Sequence, residues 1–175
     1  MSVEQLALAW DEPGVAMVKT RAVDFSADEL YRYKLSITWD DSLWRIMFLM
    51  LNPSTADAVK NDPTVKRCER RAESLGYGCL MVGNLFAFRS TDPDALQTAR
   101  DPVGPRNDAA LLEMSREADT IVCAWGGQAG RLGAERAAYV KSLLRGRELH
   151  YLKMSNGVPW HPLYIGYDEP LKIWK

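Results

Sequence analysis

"WRIMFLMLNP", Trp44 to Pro53, is apolar from Ile46 to Leu51 and then breaks off at an amide side chain followed by a proline. An apolar run with a single charge, Arg45, fits a strand covered on both faces, because a half-wet strand would alternate. Pro53 ends it, since proline cannot donate to a ladder. After a short polar stretch comes "DPTVKRCERRAESLGYGCLMVGN", Asp62 to Asn84. Asp62 as N-cap, Pro63 at the first helical position, an apolar stripe of Val65, Cys68, Ala72 and Leu75, and Gly76 as stop predict one helix. "CLMV", Cys79 to Val82, predicts a second buried strand that ends near Gly83 and Asn84. Strand, helix, strand is the unit of a parallel sheet.

The flanks extend that unit. Upstream, Tyr31, Tyr33, Leu35 and Ile37 alternate with Arg32, Lys34 and Ser36, the pattern of an edge strand with one wet face. Downstream, "RSTDPDALQTARDPVGP" predicts a long loop, and Asn107 to Glu117 a helix. "TIVCAWGG" predicts a third buried strand with Gly126 and Gly127 at its end. A helix through "AERAAYVKSLLRG" then offers Ala138, Val140, Leu143 and Leu144 as apolar positions, "ELHYLKM" is a fourth strand, and "NGVPWHPLYI" a loop. The expected architecture is a three-layer α/β/α domain around a central, mainly parallel four-stranded sheet with N-terminal strand additions. No repeat, linker or low-complexity segment divides residues 1–175, so a single domain is expected.

Bulk composition narrows the function classes. Twenty-two Lys and Arg against 23 Asp and Glu leave a formal charge of −1, so no global positive field draws in nucleic acid and any such binding must use a local patch. Three cysteines without a CxxC pair and two histidines fit no familiar zinc or iron–sulfur ligand set. The N-terminus lacks a basic region followed by an apolar core, and no apolar run approaches the ~20 residues of a membrane span. A reduced, cytoplasmic protein without metal or cofactor is the expectation, with a monomer favoured and the oligomeric state open.

In parallel sheets ligands sit beyond the C-terminal strand ends, and Asn52, Asn84 and Trp125 each follow such an end. Asn52, Pro53, Ser54 and Thr55 are turn formers, so a purely structural turn competes with a binding role. Convergence of two asparagines favours a site, because an amide can read the edge of a base or hold a water. His161, beside Trp160 and between two prolines, is either a satisfied structural group or an imidazole aimed at a developing anion. Phe86, Phe88, Trp125 and Trp160 either stack on a flat ligand or pack loops onto the core. Lys66, Arg67, Arg70 and Arg71, with Arg89, either form a solvated face or contact phosphates. Asp57 is the carboxylate nearest the first motif and can cap the turn or polarise a water.

Five motifs in order, "YRYKLSITW", "MLNPSTADAVKNDPT", "GNLFAFRSTDP", "AWGG" and "HPLYI", closely resemble the bacterial and phage family catalogued as domain of unknown function 1643, over roughly residues 30 to 165. The sequence is more distantly similar to the uracil-DNA glycosylase superfamily. That resemblance implies a parallel four-strand sheet and hydrolysis of an N-glycosidic bond in a base extruded from DNA. Carried over, Asn52 would hold the attacking water, Asn84 would read the base edge, His161 would stabilise the departing base anion, and Pro53 and Pro162 would shape the two loops. The His-Pro pair continues with Leu163 and Tyr164 where many relatives have Ser. Because Asn52 cannot take a proton, it would only orient water, and intrinsic rates should be low. The expected activity is therefore excision of a damaged, mismatched or modified base, including phage-type modified DNA. A non-catalytic module for nucleotide or single-stranded nucleic acid, and an enzyme of free nucleotides or nucleosides, stay open beside it.

Overall fold

The structure, a computed structural model, describes residues 2–6 (backbone only), 18–54, 62–92, 94–128 and 130–175. Its centre is β4 (Arg45–Met50), buried at every position after Arg45 as its unbroken apolar run requires. β4 pairs in parallel with β5 (Cys79–Asn84) on one side and β6 (Thr120–Cys123) on the other, and β6 pairs in parallel with β7 (Leu149–Tyr151). These four strands run parallel at the centre of a mixed sheet, which is not the four-stranded sheet expected. The whole sheet is larger, with eight strands in the order β1-β2-β3-β5-β4-β6-β7-β10. β1 (Ser2–Leu6), β2 (Lys19–Phe25) and β3 (Arg32–Thr38) add on antiparallel beside β5, and β10 (Lys172–Ile173) closes the far edge against β7.

Alternation along β4 splits the core in two. Ile46, Phe48 and Met50 pack with Leu35, Ile37, Leu80 and Val82 beneath α1 (Pro63–Ser74). Met47 and Leu49 pack with Met81, Leu111, Met114 and Val140 beneath α3 (Asn107–Glu117) and α4 (Gly130–Leu143). Burial of each large side chain in these layers contributes about 1.5–3 kcal/mol, which is why the two helix layers stay attached. Asp62 caps α1 as expected, its Oδ1 accepting the Thr64 N–H at 2.8 Å. The helix stops before Leu75, which is exposed rather than part of the stripe, and Gly76 leaves it with a left-handed φ of 82°. On α4 the buried alanine is Ala137, and Ala138 faces out.

Several expectations need correcting. β3 is an interior strand between β2 and β5, not an edge. Its ladder with β2 pairs Asp24 with Lys34 but Phe25 with Arg32, so Tyr33 is an extra, unpaired residue. This bulge inverts the face sequence. Tyr33 turns toward α3 and packs on Ala110, while Arg32 turns to the α1 side and is buried. The presumed loop from Arg89 contains a short helix, α2 (Ala95–Thr98); Met154, expected in the fourth strand, instead begins a hairpin of β8 (Met154–Ser155) and β9 (Val158–Pro159), and the presumed loop from Asn156 continues into a 3-10 turn, Pro162–Tyr164.

Candidate functional site

In the parallel block β4 is followed in the chain by β5 on one side and later by β6 on the other, and ligands bind where such an order reverses. Two adjoining cavities lie there. One, of about 280 Å³, is the more polar of the two: beside Met50, Leu51 and Pro63 it is bordered by Arg32, Asn52, Ser54, Asp62, Thr64, Ser90 and Thr91. The other, of about 320 Å³, is bordered mainly by Gly126, Gly127, Val158, Pro159, Trp160 and Tyr164. Gln128 and His161 belong to both. The imidazole therefore stands at the junction of a polar and an apolar chamber.

Asn52 is fixed by its neighbours. Its Nδ2 donates to the Ser90 carbonyl at 2.8 Å and to the Pro53 carbonyl at 3.2 Å, tying the end of β4 to the loop after β5. Ser90 N–H returns a bond to the Pro53 carbonyl at 2.9 Å. With both donors directed at carbonyls, Oδ1 is the part of the amide left to accept from a ligand or water. The exit of β5 is fixed as well: Asn107 Nδ2 donates to the carbonyls of Asn84 and Leu85 at 3.1 and 3.0 Å, and Arg136 Nε donates to Leu85 at 2.8 Å.

His161 opens the 3-10 turn, and its Nδ1 accepts the Leu163 N–H at 3.4 Å. That contact leaves the proton on Nε2, the nitrogen free to donate. Burial lowers the imidazole pKa, with Asp62 opposing, so the ring is neutral at pH 7. Gly126 lies against it: at φ 69°, a Cβ on this residue would sit 3.4 Å from the His161 Cβ. From α1, Arg67 donates to the Pro162 carbonyl at 3.0 Å and to the Ile165 carbonyl at 2.6 Å. Arg71, 1% exposed, bonds the carbonyls of Ile165, Gly166, Tyr167 and Glu169.

These contacts revise the basic-face reading. Arg67 and Arg71 hold the His161 segment to α1, and Arg89 bonds the Glu29 carbonyl at 2.7 Å while lying over Phe25. Their guanidiniums are committed inside the protein instead of being presented to phosphates; Arg70 is exposed and Lys66 is half-buried. The aromatic set divides as well. Trp160, 37% exposed, borders the apolar cavity, with Lys153 Nζ 4.1 Å from its ring centroid. Phe86 and Trp125 are core residues, Trp125 packing 5.7 Å from Trp174, and Phe88 packs on Tyr31. Asn84 is 2% exposed, borders neither cavity, and its Nδ2 has no partner among the described residues. Pro53 is buried beneath Asn52, Ser54 borders the polar cavity, and Asp57 lies outside the described residues.

Sequence reading missed Arg32 altogether. It is 5% exposed, its Nε is buried without a hydrogen-bond partner, and among the described residues Asp62 offsets its charge only through space. Burial lowers its guanidinium pKa to about 10, so it stays charged at neutral pH. The cysteines offer no nucleophile: all three are buried, and burial pushes the Cys123 thiol up to about 12. Among the described residues no group of three or more His, Cys, Asp or Glu is placed to hold a metal, and no helix is long and apolar enough to cross a membrane.

The family model described as "Protein of unknown function (DUF1643)" matches residues 32–163, more than two thirds of the chain. The chain belongs to the DUF1643 family. No curated protein and no solved structure matches it. The DUF1643 span runs from Arg32 to Leu163 and so contains every residue that borders the polar cavity, including its buried cation and its imidazole.

Proposed function

We propose that the paired cavities hydrolyse the N-glycosidic bond of a nucleotide unit and release its base. The observation that carries this reading is that Asn52 and His161 border one cavity with complementary atoms that are unbonded among the described residues, an acceptor Oδ1 and a donor Nε2–H. The similarity to the uracil-DNA glycosylase superfamily at these two motifs supports the same pairing, as does a parallel block of four strands. The base enters the apolar chamber beside Trp160 and Tyr164, where a flat ring stacks favourably. The sugar occupies the polar chamber, and a water held by Asn52 Oδ1 faces its anomeric carbon.

In the reaction the water oxygen bonds to that carbon as the carbon–nitrogen bond breaks, and the electron pair leaves with the base. His161 Nε2–H donates to the developing base anion, a contact stronger in the transition state than before it. The proton lost by the water ends on the departed base. Asn84 does not reach either chamber, so the base edge falls to Gln128, whose amide borders both. Commitment of Arg67, Arg71 and Arg89 to internal partners favours a single nucleotide or a flipped, unpaired one over an extended duplex groove.

The test is incubation with oligonucleotides bearing uracil, mismatched, oxidised, alkylated or glycosylated bases, scored by alkali cleavage at abasic sites, in parallel with free nucleotides scored by released base. Product that disappears in Asn52→Ala and His161→Ala supports hydrolysis. Binding that persists without product in the wild-type protein leaves a nucleotide-binding module.

A further inference from the structure

Arg32 poses a physical problem that the glycosidic chemistry leaves unused. A buried guanidinium normally spends its five donors on carboxylates or carbonyls, as Arg71 and Arg136 do here. Arg32 makes no such bond among the described residues, although it is as buried as they are. An unpaired buried charge is costly and persists where a ligand completes it. The bulge at Tyr33 turns this side chain away from the α3 face and onto the wall of the polar cavity.

We propose that Arg32 binds the phosphate group of the substrate, which rests on the nucleotide reading of the cavity and narrows it to a phosphorylated ligand. A planar two-pronged donor suits phosphate oxygens, and the hydroxyl-bearing residues Ser54, Thr64 and Thr91 border the same chamber, as does Ser90, whose own hydroxyl is spent on Asp92. Asp62 also borders it, but its carboxylate caps α1, whose N-terminal dipole offsets the negative charge, while Arg21 and Arg89 add positive potential at Arg32. The phosphate and the sugar then share the polar chamber, with the base in the adjoining one.

The probes are inorganic phosphate, a nucleoside 5′-monophosphate, its unphosphorylated nucleoside and a single-stranded trinucleotide, with melting temperature as the readout on wild type, Arg32→Met and Arg32→Lys. Phosphate and the monophosphate raise the wild-type midpoint by mass action and leave Arg32→Met unmoved, while Arg32→Met without ligand is at least as stable as wild type. Any turnover of the monophosphate shows a KM on the order of 10–100-fold higher in Arg32→Met, with the nucleoside unaffected. A larger shift from the trinucleotide than from the monophosphate identifies a phosphodiester as the source, and the reverse a free nucleotide. No wild-type shift with either phosphate compound, an equal shift in Arg32→Met, or failure of both variants to fold overturns the inference. Phosphate-dependent stabilisation without base release keeps the anion site and rejects the glycosidic reading; base release with no dependence on Arg32 does the opposite.

Discussion

Asn52 and Ser90 are joined by a 2.8 Å bond from the amide Nδ2 to the loop carbonyl, so the two strand-end loops that border the polar cavity are held by the same side chain that offers its oxygen to it. Asn52→Ala removes both functions. On the glycosidic reading, loss of a positioned water lowers kcat on the order of 100-fold with little change in KM, since the amide would contact water and not the base. The missing bonds also lower stability by about 1 kcal/mol. Single-turnover base release and urea unfolding separate the two effects.

His161 makes stability and activity depend on pH in the same direction. Burial holds its folded pKa below the ordinary 6.5, so beneath that value the unfolded chain binds a proton that the folded chain refuses. Stability at this group is complete above about pH 6.5 and declines as pH falls toward the depressed folded value. His161→Gln abolishes this part of the slope in melting temperatures measured from pH 5 to pH 7.5. Base release by the wild type falls over the same interval if the neutral ring, with Nε2–H as donor, is the working form.

Gly126 is the neighbour on which the ring depends. Gly126→Ala forces a side chain into left-handed backbone at φ 69° and places a methyl 3.4 Å from the His161 Cβ. The backbone term costs about 1–2 kcal/mol. Urea unfolding measures that loss, and a shifted His161 imidazole resonance with reduced kcat shows that the ring has moved.

Arg71 is a structural cation, and Arg71→Lys is correspondingly severe. An ammonium cannot reach the four carbonyls that the guanidinium bonds, so buried acceptors from Ile165 to Glu169 lose partners. The expected loss is about 3 kcal/mol in urea unfolding. Faster amide hydrogen exchange from Ile165 to Glu169, with the α3 and α4 layer unchanged, localises it.

The parallel block was legible because β4 and β5 are buried on both faces, which leaves an unbroken apolar run, and because Asp62, Pro63 and Gly76 punctuate α1. Asn52, Ser54, Trp160 and His161, which border the two cavities, were legible as candidates because each follows a strand end or sits in a proline-bounded loop. Arg32 was not. Strict alternation assigns it to a wet face, and only the pairing of Phe25 with Arg32 reveals the extra residue. Arg67 and Arg71 deceived for a related reason: a basic helix face looks solvated until the chain returns almost a hundred residues later and covers it with carbonyls. Phe86 and Trp125 follow strand ends too, but their side chains fall on the core side.

The site's cation is a matter of parity. Between Lys34 and Arg32 the chain spends one residue that its partner strand does not match. Pairing Tyr33 with Phe25 would leave no residue unmatched and give a smoother ladder, yet Arg32 and the positions before it would swap sides, sending the guanidinium toward α3 and Tyr33 toward α1. A more regular ladder would thus turn the charge away from the polar cavity, which makes the irregularity, and not the arginine alone, what places it there.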